Sequence, residues 1–222
     1  NHSIIILNGK TDRTILAYKG INDDLSYDEI PVKKLKTKWF YFCAMMAESF
    51  HTLEKLAEFA QKNKIKIAFN PSTYLAEKGS RHLKQIISRT ELLVLNKEEA
   101  CLIVGHEQIE DILFKLRSMG PKLVVITDGK NELYVIDDKH IYSAKPPYIK
   151  IVDATGAGDA FASSFLSGII RKNSIEFAIK LGIANAQSVV SHYGAKNNLL
   201  NYKEATKAMK KLKIRIHKKK IK

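Results

Sequence analysis

The sequence predicts an α/β protein, a three-layer sandwich in which a mostly parallel central sheet is covered by helices on both faces. Strand-like apolar runs alternate with helix-like segments over most of the chain, which is the pattern of such folds. Leu123–Thr127 is an apolar run of the kind found in strands that are buried on both faces. No period of about 20–50 residues recurs, so a solenoid is excluded.

The first half begins with two short strand-like runs, Ser3–Leu7 and Thr14–Tyr18, and Asn8-Gly9 between them predicts a hairpin turn. Residues 22–38 are polar and irregular. A helix with Ser49 as its N-cap follows, because apolar residues recur at helical spacing after it. The predicted strands are Trp39–Cys43, Ile65–Phe69 and Leu92–Leu95, and the predicted helices are Ser49–Lys62, Arg81–Ser88, Lys97–Val104 and Ile109–Ser118.

The second half repeats this alternation. After Leu123–Thr127, the segments Leu133–Ile136 and Ile141–Ser143 predict a hairpin that turns at Asp137-Asp138. Three helices complete the chain: Ala157–Ile170, Ile175–His192 and Lys203–Leu212.

Composition limits the class of protein. The 222 residues are 45% hydrophobic, which suits a globular α/β domain rather than a disordered chain. No apolar run approaches the roughly 20 residues of a membrane helix, and no signal peptide is recognisable, so no membrane partner is expected. Cys43 and Cys101 lie in apolar surroundings without metal-ligand spacing, which suggests reduced core cysteines and a cytoplasmic location.

The net charge of +14 is concentrated near the end of the chain, in residues 210–220. Such a tail could bind phosphate backbones or an acidic membrane surface. The alternative, which we favour, is a solvated lysine-rich terminus. Because aromatic residues do not interleave with the charges, no stacking platform is indicated and nucleic acid is not a favoured partner.

The segment from Ile151 to Phe161 leads from a short strand through glycines directly into a long helix. Glycines let the backbone approach a ligand closely, and the free N–H groups of a first helical turn favour a phosphate. Asp159 would repel a bound phosphate, but it would be useful as a base that takes the proton of an attacking hydroxyl. The alternative is an ordinary helix start whose glycines serve packing only.

Asp153-Ala-Thr-Gly-Ala-Gly-Asp159, followed by Ala160-Phe161, closely resembles the signature of the ribokinase-like, PfkB-type carbohydrate kinases, usually Asp-Thr-x-Gly-Ala-Gly-Asp. The resemblance implies a ribokinase-like fold and an ATP-dependent kinase. Asp159 matches the catalytic base, and the amides of Gly156, Ala157 and Gly158 match an anion hole for the transferred phosphoryl group. Asp153 and Thr155 match positions that help to hold K⁺ in potassium-dependent members.

Two further strand ends resemble motifs of this family. Asn96 and Glu99 match its Asn-x-x-Glu motif, which implies a nucleotide contact and water-mediated Mg²⁺, although the same residues would also make a capping box. Thr127 and Gly129 match its Thr-x-Gly motif, which contacts nucleotide phosphate or ribose. An ordinary strand-end turn is the alternative, and Glu132 stands about where members often carry a further glycine.

On the penultimate helix, Asn185 matches a position that lies against adenine, and Gly194 in the next loop matches part of the cation loop. Close helix packing is an equal alternative for Asn185.

The resemblance starts late, because nothing matches the family's N-terminal residues that bind the phosphate acceptor. The chain also begins with Asn1, not Met, and we therefore expect a fragment. Residues 1–20 resemble half of a small β lid, and residues 21–222 the ATP-binding catalytic domain. The acceptor is expected to be a sugar or a nucleoside, and a homodimer through the lid is an expectation. A non-catalytic nucleotide-binding remnant and a basic nucleic-acid binder remain as alternatives.

Overall fold

The computed structural model of the protein describes residues 2–7, 13–18, 20–105 and 108–221. Two compact units make up the chain, Asn1–Lys122 and Leu123–Lys222. The predicted hairpin turn at Asn8-Gly9 lies outside the described residues. Across the described ranges, no helix has both the length and the apolar character to cross a membrane.

The first unit contains a two-stranded hairpin, three 3₁₀ turns within the segment predicted to be irregular, and alternating strands and helices. Its strands are β1 (His2–Leu7), β2 (Arg13–Tyr18), β3 (Trp39–Phe42), β4 (Lys66–Phe69) and β5 (Leu92–Asn96). Its helices are α1 (Ala47–Lys62), α2 (Ser72–Ala76), α3 (Gly79–Ile87), α4 (Lys97–Val104) and α5 (Ile109–Ser118).

The strands β3, β4 and β5 pair in parallel, as predicted, and form the centre of the first unit. Ile67, Ala68 and Phe69 of β4 and Leu92 and Leu93 of β5 are completely buried. Burial of successive residues, instead of alternate ones, is the property of a strand that is covered on both faces. The carboxyl end of β5 passes directly into α4 at Asn96.

Two local predictions for this unit are wrong. Ser49 does not cap α1, because the helix already begins at Ala47; the buried Ser49 hydroxyl instead accepts a hydrogen bond from the amide of Leu25 at 2.8 Å. Cys43 is not a core residue but is exposed, whereas Cys101 is half-buried, and neither of the two forms a disulfide bond. The short helix α2 is an addition to the predicted elements.

Antiparallel pairing of β1 with β2 agrees with the predicted hairpin, with Ile4 opposite Leu16 and Ile6 opposite Thr14. Ile4, Ile6, Leu16 and Tyr18 are all exposed, although they are large and apolar. The assignment of residues 1–20 to a lid stays a prediction.

The second unit consists of an antiparallel sheet and three helices. Its strands are β6 (Leu123–Thr127), β7 (Leu133–Ile136), β8 (His140–Ala144) and β9 (Ile216–Lys220), and its helices are α6 (Ala157–Lys172), α7 (Ile175–Val190) and α8 (Tyr202–Lys211). The predicted hairpin of β7 and β8 is confirmed.

The basic end of the chain is not a loose tail, because β9 pairs with β8 in antiparallel register, with Ile216 opposite Ala144 and Lys220 opposite His140. His217 and the three lysines of β9 are exposed. The prediction that these charges are solvated is confirmed, but the strand itself was not predicted.

The helices α6 and α7 pack closely against each other. A Cβ atom on Gly182 would lie 2.8 Å from the ring of Phe161, and one on Gly168 would lie 2.7 Å from the backbone of Ala178. These two glycines therefore let the helices approach more closely than side chains would permit. The packing holds α6, and with it the loop that precedes the helix, in a fixed position.

Candidate functional site

The loop before α6 reverses direction at Gly156, whose φ angle of +80° lies in the left-handed region. A Cβ atom at this position would lie only 1.9 Å from the backbone oxygen of Ala195. Glycine is therefore required here for two reasons, which are the left-handed backbone conformation and the close approach of a second loop.

Asp153 connects the same two loops. One carboxylate oxygen accepts hydrogen bonds from the amide (2.9 Å) and the hydroxyl (2.6 Å) of Thr155, and the other accepts from the amide of Gly194 (3.0 Å). The structure thus brings together Asp153, Thr155, Gly156 and Gly194, and three of these, Asp153, Thr155 and Gly194, match positions of the family's cation site. Both carboxylate oxygens of Asp153 hold the loops in place, and this supports a structural role for the residue.

The first turn of α6 has no side-chain cap, because Gly156 occupies the N-cap position. The amide of Ala157 donates to the carbonyl of Ala154 at 3.3 Å, whereas the amides of Gly156 and Gly158 find no acceptor among the described residues. A Cβ atom built on Gly158 would meet nothing within 4 Å. The helix start therefore presents unpaired N–H groups beside open space, which is the arrangement that binds anions.

Asp159 lies in this first turn and is exposed. The backbone carbonyl oxygen of Asp159 accepts a hydrogen bond from the hydroxyl of Ser163 at 2.7 Å. Its carboxylate has no hydrogen-bond or ion-pair partner in the part of the chain that the structure describes. This carboxylate is therefore available to an external donor.

Asn96 and Glu99, in the first unit, form the capping box that was the alternative interpretation. The side chain of Asn96 accepts from the amide of Glu99 at 2.8 Å, and that of Glu99 accepts from the amide of Asn96 at 2.9 Å. The second Glu99 oxygen lies 3.4 Å from the hydroxyl of Thr73 on α2, and Glu99 is buried.

Thr127 ends β6, and a tight turn follows in which the amide of Asn131 donates to the carbonyl of Asp128 at 2.8 Å. Gly129 has a φ angle of +53°, and an added Cβ atom would meet nothing within 4 Å. The turn is therefore open on the side of Gly129. Glu132 points its carboxylate to the hydroxyl of Tyr134 at 3.0 Å.

Asn185 on α7 is buried, and both ends of its amide have partners inside the unit. Its oxygen accepts from the amide of Leu200 at 2.9 Å, and its nitrogen donates to the hydroxyl of Ser164 at 2.7 Å. The residue thus fixes the loop after α7 against α6. This geometry favours the packing interpretation of Asn185.

The partners that hold these residues could not be predicted from the sequence. Ala195, Ser164, Leu200 and Thr73 are far along the chain from the groups they contact, and no local pattern identifies them. Within the described residues, no group of three or more acidic, histidine or cysteine side chains forms a metal cluster.

Comparison with known proteins identifies relatives of the chain. The sequence model described as "pfkB family carbohydrate kinase" matches residues 1–201. The chain is 34% identical over 181 residues to a cytidine kinase of Thermococcus kodakarensis, covering 79% of this chain and 63% of that protein. It is 29% identical over 163 residues to a nucleoside kinase of Methanocaldococcus jannaschii, covering 72% of this chain and 52% of that protein.

Solved structures share the fold. A ribokinase from Thermotoga maritima superposes with a TM-score of 0.80 at 20% identity, covering 94% of this chain and 69% of that one. A putative ribokinase II from E. coli, solved with ATP and Mg²⁺, gives a TM-score of 0.79 at 19% identity, covering 90% and 68%. The predicted ribokinase-like α/β fold is confirmed.

Proposed function

The chain belongs to the pfkB family of carbohydrate kinases, and from this premise we propose that it transfers the γ-phosphoryl group of ATP to a hydroxyl group of a sugar or a nucleoside. One observation carries the proposal: the open, uncapped start of α6, with unpaired amides and the unpartnered Asp159 carboxylate in the same turn. A helix start of this kind suits a phosphoryl group, and the adjacent carboxylate suits the hydroxyl that attacks it.

In the proposed reaction, the Asp159 carboxylate takes the proton of the acceptor hydroxyl as its oxygen bonds to the γ-phosphorus. The bond from that phosphorus to the bridging oxygen breaks, and ADP leaves with the electron pair. The unpaired amides of Gly156 and Gly158 donate to the phosphoryl oxygens as charge develops on them, and the amide of Ala157 joins them by giving up its 3.3 Å bond to Ala154. Because Gly156 and Gly158 are held in place beforehand, their amides need no reorganisation during transfer.

The remaining residues are proposed to hold the nucleotide and its ions. Thr127 and Gly129 would contact the nucleotide through the open turn after β6, and Asn185 would support the adenine side by fixing the loop at Leu200. Asn96 and Glu99 are the proposed supports of water-mediated Mg²⁺, because carboxylate and amide oxygens are the ligand types that this ion prefers. Bound Mg²⁺ would offset the negative charge of the phosphates.

Asp153 and Thr155 are the proposed supports of a K⁺ site. Both present oxygen atoms in a segment that is held rigid by the contact with Gly194. In this proposal Asp153 orders the loop, and backbone oxygens complete the site. The chain spans 63% of the cytidine kinase and 52% of the nucleoside kinase that it resembles, so the acceptor is assigned only by chemical class.

Replacing the proposed base tests the function directly. We expect Asp159→Asn to lower turnover by about 10²–10⁴, because positioned general bases contribute that much. ATP affinity should stay similar or rise slightly, since the carboxylate that is lost repels phosphate and does not bind it. The measurement is ADP release from the whole protein with cytidine, other nucleosides and sugars as acceptors.

Asp111 provides the control, because it is also an exposed carboxylate in the first turn of a helix, α5. Asp111→Asn should leave turnover unchanged. If Asp159→Asn retained full turnover with an acceptor that the unmodified protein phosphorylates, the assignment of the base would be wrong.

A further inference from the structure

A cleft of about 380 Å³ lies entirely within the second unit, beside the start of β7. Two segments form most of its wall, residues 145–148 after β8 and residues 213–217 at the start of β9. The charged or aromatic side chains that line it are Glu132, Lys145, Tyr148, Lys213, Arg215 and His217.

The backbone of residues 213–217 explains why three basic side chains share the cleft. Ile214 is buried, while Lys213, Arg215 and His217 are exposed, so the residues alternate as in a strand. The pairing of Ile216 with Ala144 fixes this register. A shift by one residue would expose Ile214 and bury Arg215, so the basic side chains are held on the cleft side.

The opposite wall is also constrained. Pro146 and Pro147 restrict the backbone between Lys145 and Tyr148, because the proline ring fixes φ. The carbonyl of Pro147 accepts a hydrogen bond from the side chain of Gln187 on α7 at 2.5 Å. Lys145 and Tyr148 therefore project from an anchored segment and not from a free loop.

The charges of the cleft are unbalanced. Three lysine or arginine side chains and one histidine face a single acid, Glu132. Among the described residues, no acidic side chain forms an ion pair with Lys145, Lys213 or Arg215. Tyr148 is 93% exposed, so the face of its ring is open to a ligand.

We propose that this cleft binds a small molecule carrying two or more linked phosphate groups, at a site additional to the start of α6. The volume lies in the range of about 300–1,000 Å³ that is usual for small-molecule sites. Arginine forms paired hydrogen bonds with phosphate, and neighbouring lysines add charge. The ligand chemistry is shared by inorganic polyphosphates and by nucleoside di- and triphosphates, and Tyr148 offers a stacking surface to the base of the latter.

Titration of the whole protein with inorganic pyrophosphate, followed by calorimetry, tests this site without a nucleotide base. The double variant Lys213→Gln/Arg215→Gln should weaken pyrophosphate binding by about tenfold or more, since it removes two adjacent positive charges. Glu132→Gln should strengthen binding severalfold, because it removes the one acid of the cleft. A mere loss of folding cannot produce these opposite signs.

The matched control is Lys211→Gln/Lys220→Gln, which removes the same charge from exposed positions outside the cleft. It should change the affinity by less than about twofold. Equal losses in the two double variants would show a general effect of net charge and would overturn the proposal.

The binding that is lost in Lys213→Gln/Arg215→Gln distinguishes the two sources of the phosphate groups, because ADP also binds the proposed donor site. If a nucleotide is the ligand, the parent binds a second ADP molecule, which this variant loses and Tyr148→Ala weakens. If an inorganic polyphosphate is the ligand, the variant weakens only the binding of pyrophosphate, and both results support the site.

The kinase assay distinguishes this cleft from the proposed donor site. Lys213→Gln/Arg215→Gln should leave the KM for ATP unchanged, and Asp159→Asn should leave unchanged the part of pyrophosphate binding that depends on Lys213 and Arg215. A KM for ATP that rises in parallel with the loss of pyrophosphate affinity would make the cleft part of the donor site and overturn the additional site. Loss of turnover in Asp159→Asn alone bears on the proposed function and not on the cleft.

Discussion

The starts of α4 and α6 carry an acidic residue at the same position and use it in opposite ways. Glu99 and Asp159 are each the third residue of their helix. Glu99 is buried and accepts from the amide of Asn96 in a capping box. Asp159 is exposed, and the residue at its N-cap is Gly156, which has no side chain that could cap the helix.

This difference separates a helix start that is satisfied by its own chain from one that is left open. The helix α8 repeats the arrangement of α4, with Asn201 and Glu204 in a capping box. Two of these three helix starts thus use a cap that stabilises the helix by about 1 kcal/mol. At α6 this stabilisation is absent, and unpaired amides remain for a ligand.

Gly156→Ala should give the largest effect, because the added methyl group would collide with the backbone of the neighbouring loop at Ala195. The new Cβ atom would lie 1.9 Å from the oxygen of Ala195, and the φ angle of +80° disfavours alanine. We expect a loss of about 3 kcal/mol in the free energy of unfolding, with loss of turnover. Urea denaturation measures the stability. A variant as stable as the parent would show that the loop contact at Ala195 does not constrain this position.

Gly158→Ala tests the proposed phosphoryl position without disturbing the fold, because this glycine has neither a positive φ nor a close neighbour. Alanine is the better helix former, so stability should stay constant or rise by up to about 1 kcal/mol. Turnover should nevertheless fall by about 10², since the methyl group enters the space proposed for the phosphoryl group. Unchanged turnover would show that no reacting group occupies the space beside Gly158.

The open helix start could be predicted from sequence because its signals are local. Gly156, Gly158 and Asp159 stand next to each other, and their chemistry follows from the geometry of a helix N-terminus. The strands and helices were predicted for the same reason, since hydrophobic periodicity is read within one segment.

The remaining features depend on residues that are distant along the chain. Asp153 and Gly194 are 41 residues apart, and the role of Asn185 becomes clear only from its contacts with Ser164 and Leu200. The strand β9 was missed because its lysines resembled a solvated tail, although Ile214 and Ile216 alternate with Lys213 and Arg215 as in a strand. Lysines on an edge strand also discourage pairing with other chains.

Asn96→Ala and Asn201→Ala test whether Asn96 supports Mg²⁺ in addition to capping its helix. Each removes the N-cap of a capping box, so each should cost about 1 kcal/mol in the free energy of unfolding. If Asn96 also supports Mg²⁺, only Asn96→Ala should raise the Mg²⁺ concentration needed for half-maximal turnover. Identical Mg²⁺ dependence in the two variants would restrict Asn96 to its capping role.

Replacing Glu91 should have the smallest effect on the free energy of unfolding. Unlike that of Asp159, the carboxylate of Glu91 has ion-pair partners within its own unit. Lys66 and Lys122 lie 3.1 and 3.0 Å from its two oxygens. Partial burial alone would raise the pKa of Glu91, but hydrogen bonds and charge from Lys122 and Lys66 lower it below the usual 4.5. The ion pairs therefore stabilise the fold above about pH 4.5, and this stabilisation is lost as the pH falls through the lowered pKa.

Because both lysines are largely exposed, solvent weakens these pairs. Glu91→Gln should therefore cost only about 0.5–1 kcal/mol at pH 7. Urea denaturation of both proteins between pH 7 and pH 3 should show the difference shrinking as the parent's carboxylate is protonated. Asp159→Asn is the contrast, since its carboxylate has no such partner among the described residues and its removal should leave stability unchanged over the same range. A stability difference for Glu91→Gln that stays constant down to pH 3 would show that packing, and not charge, makes the contribution at this position.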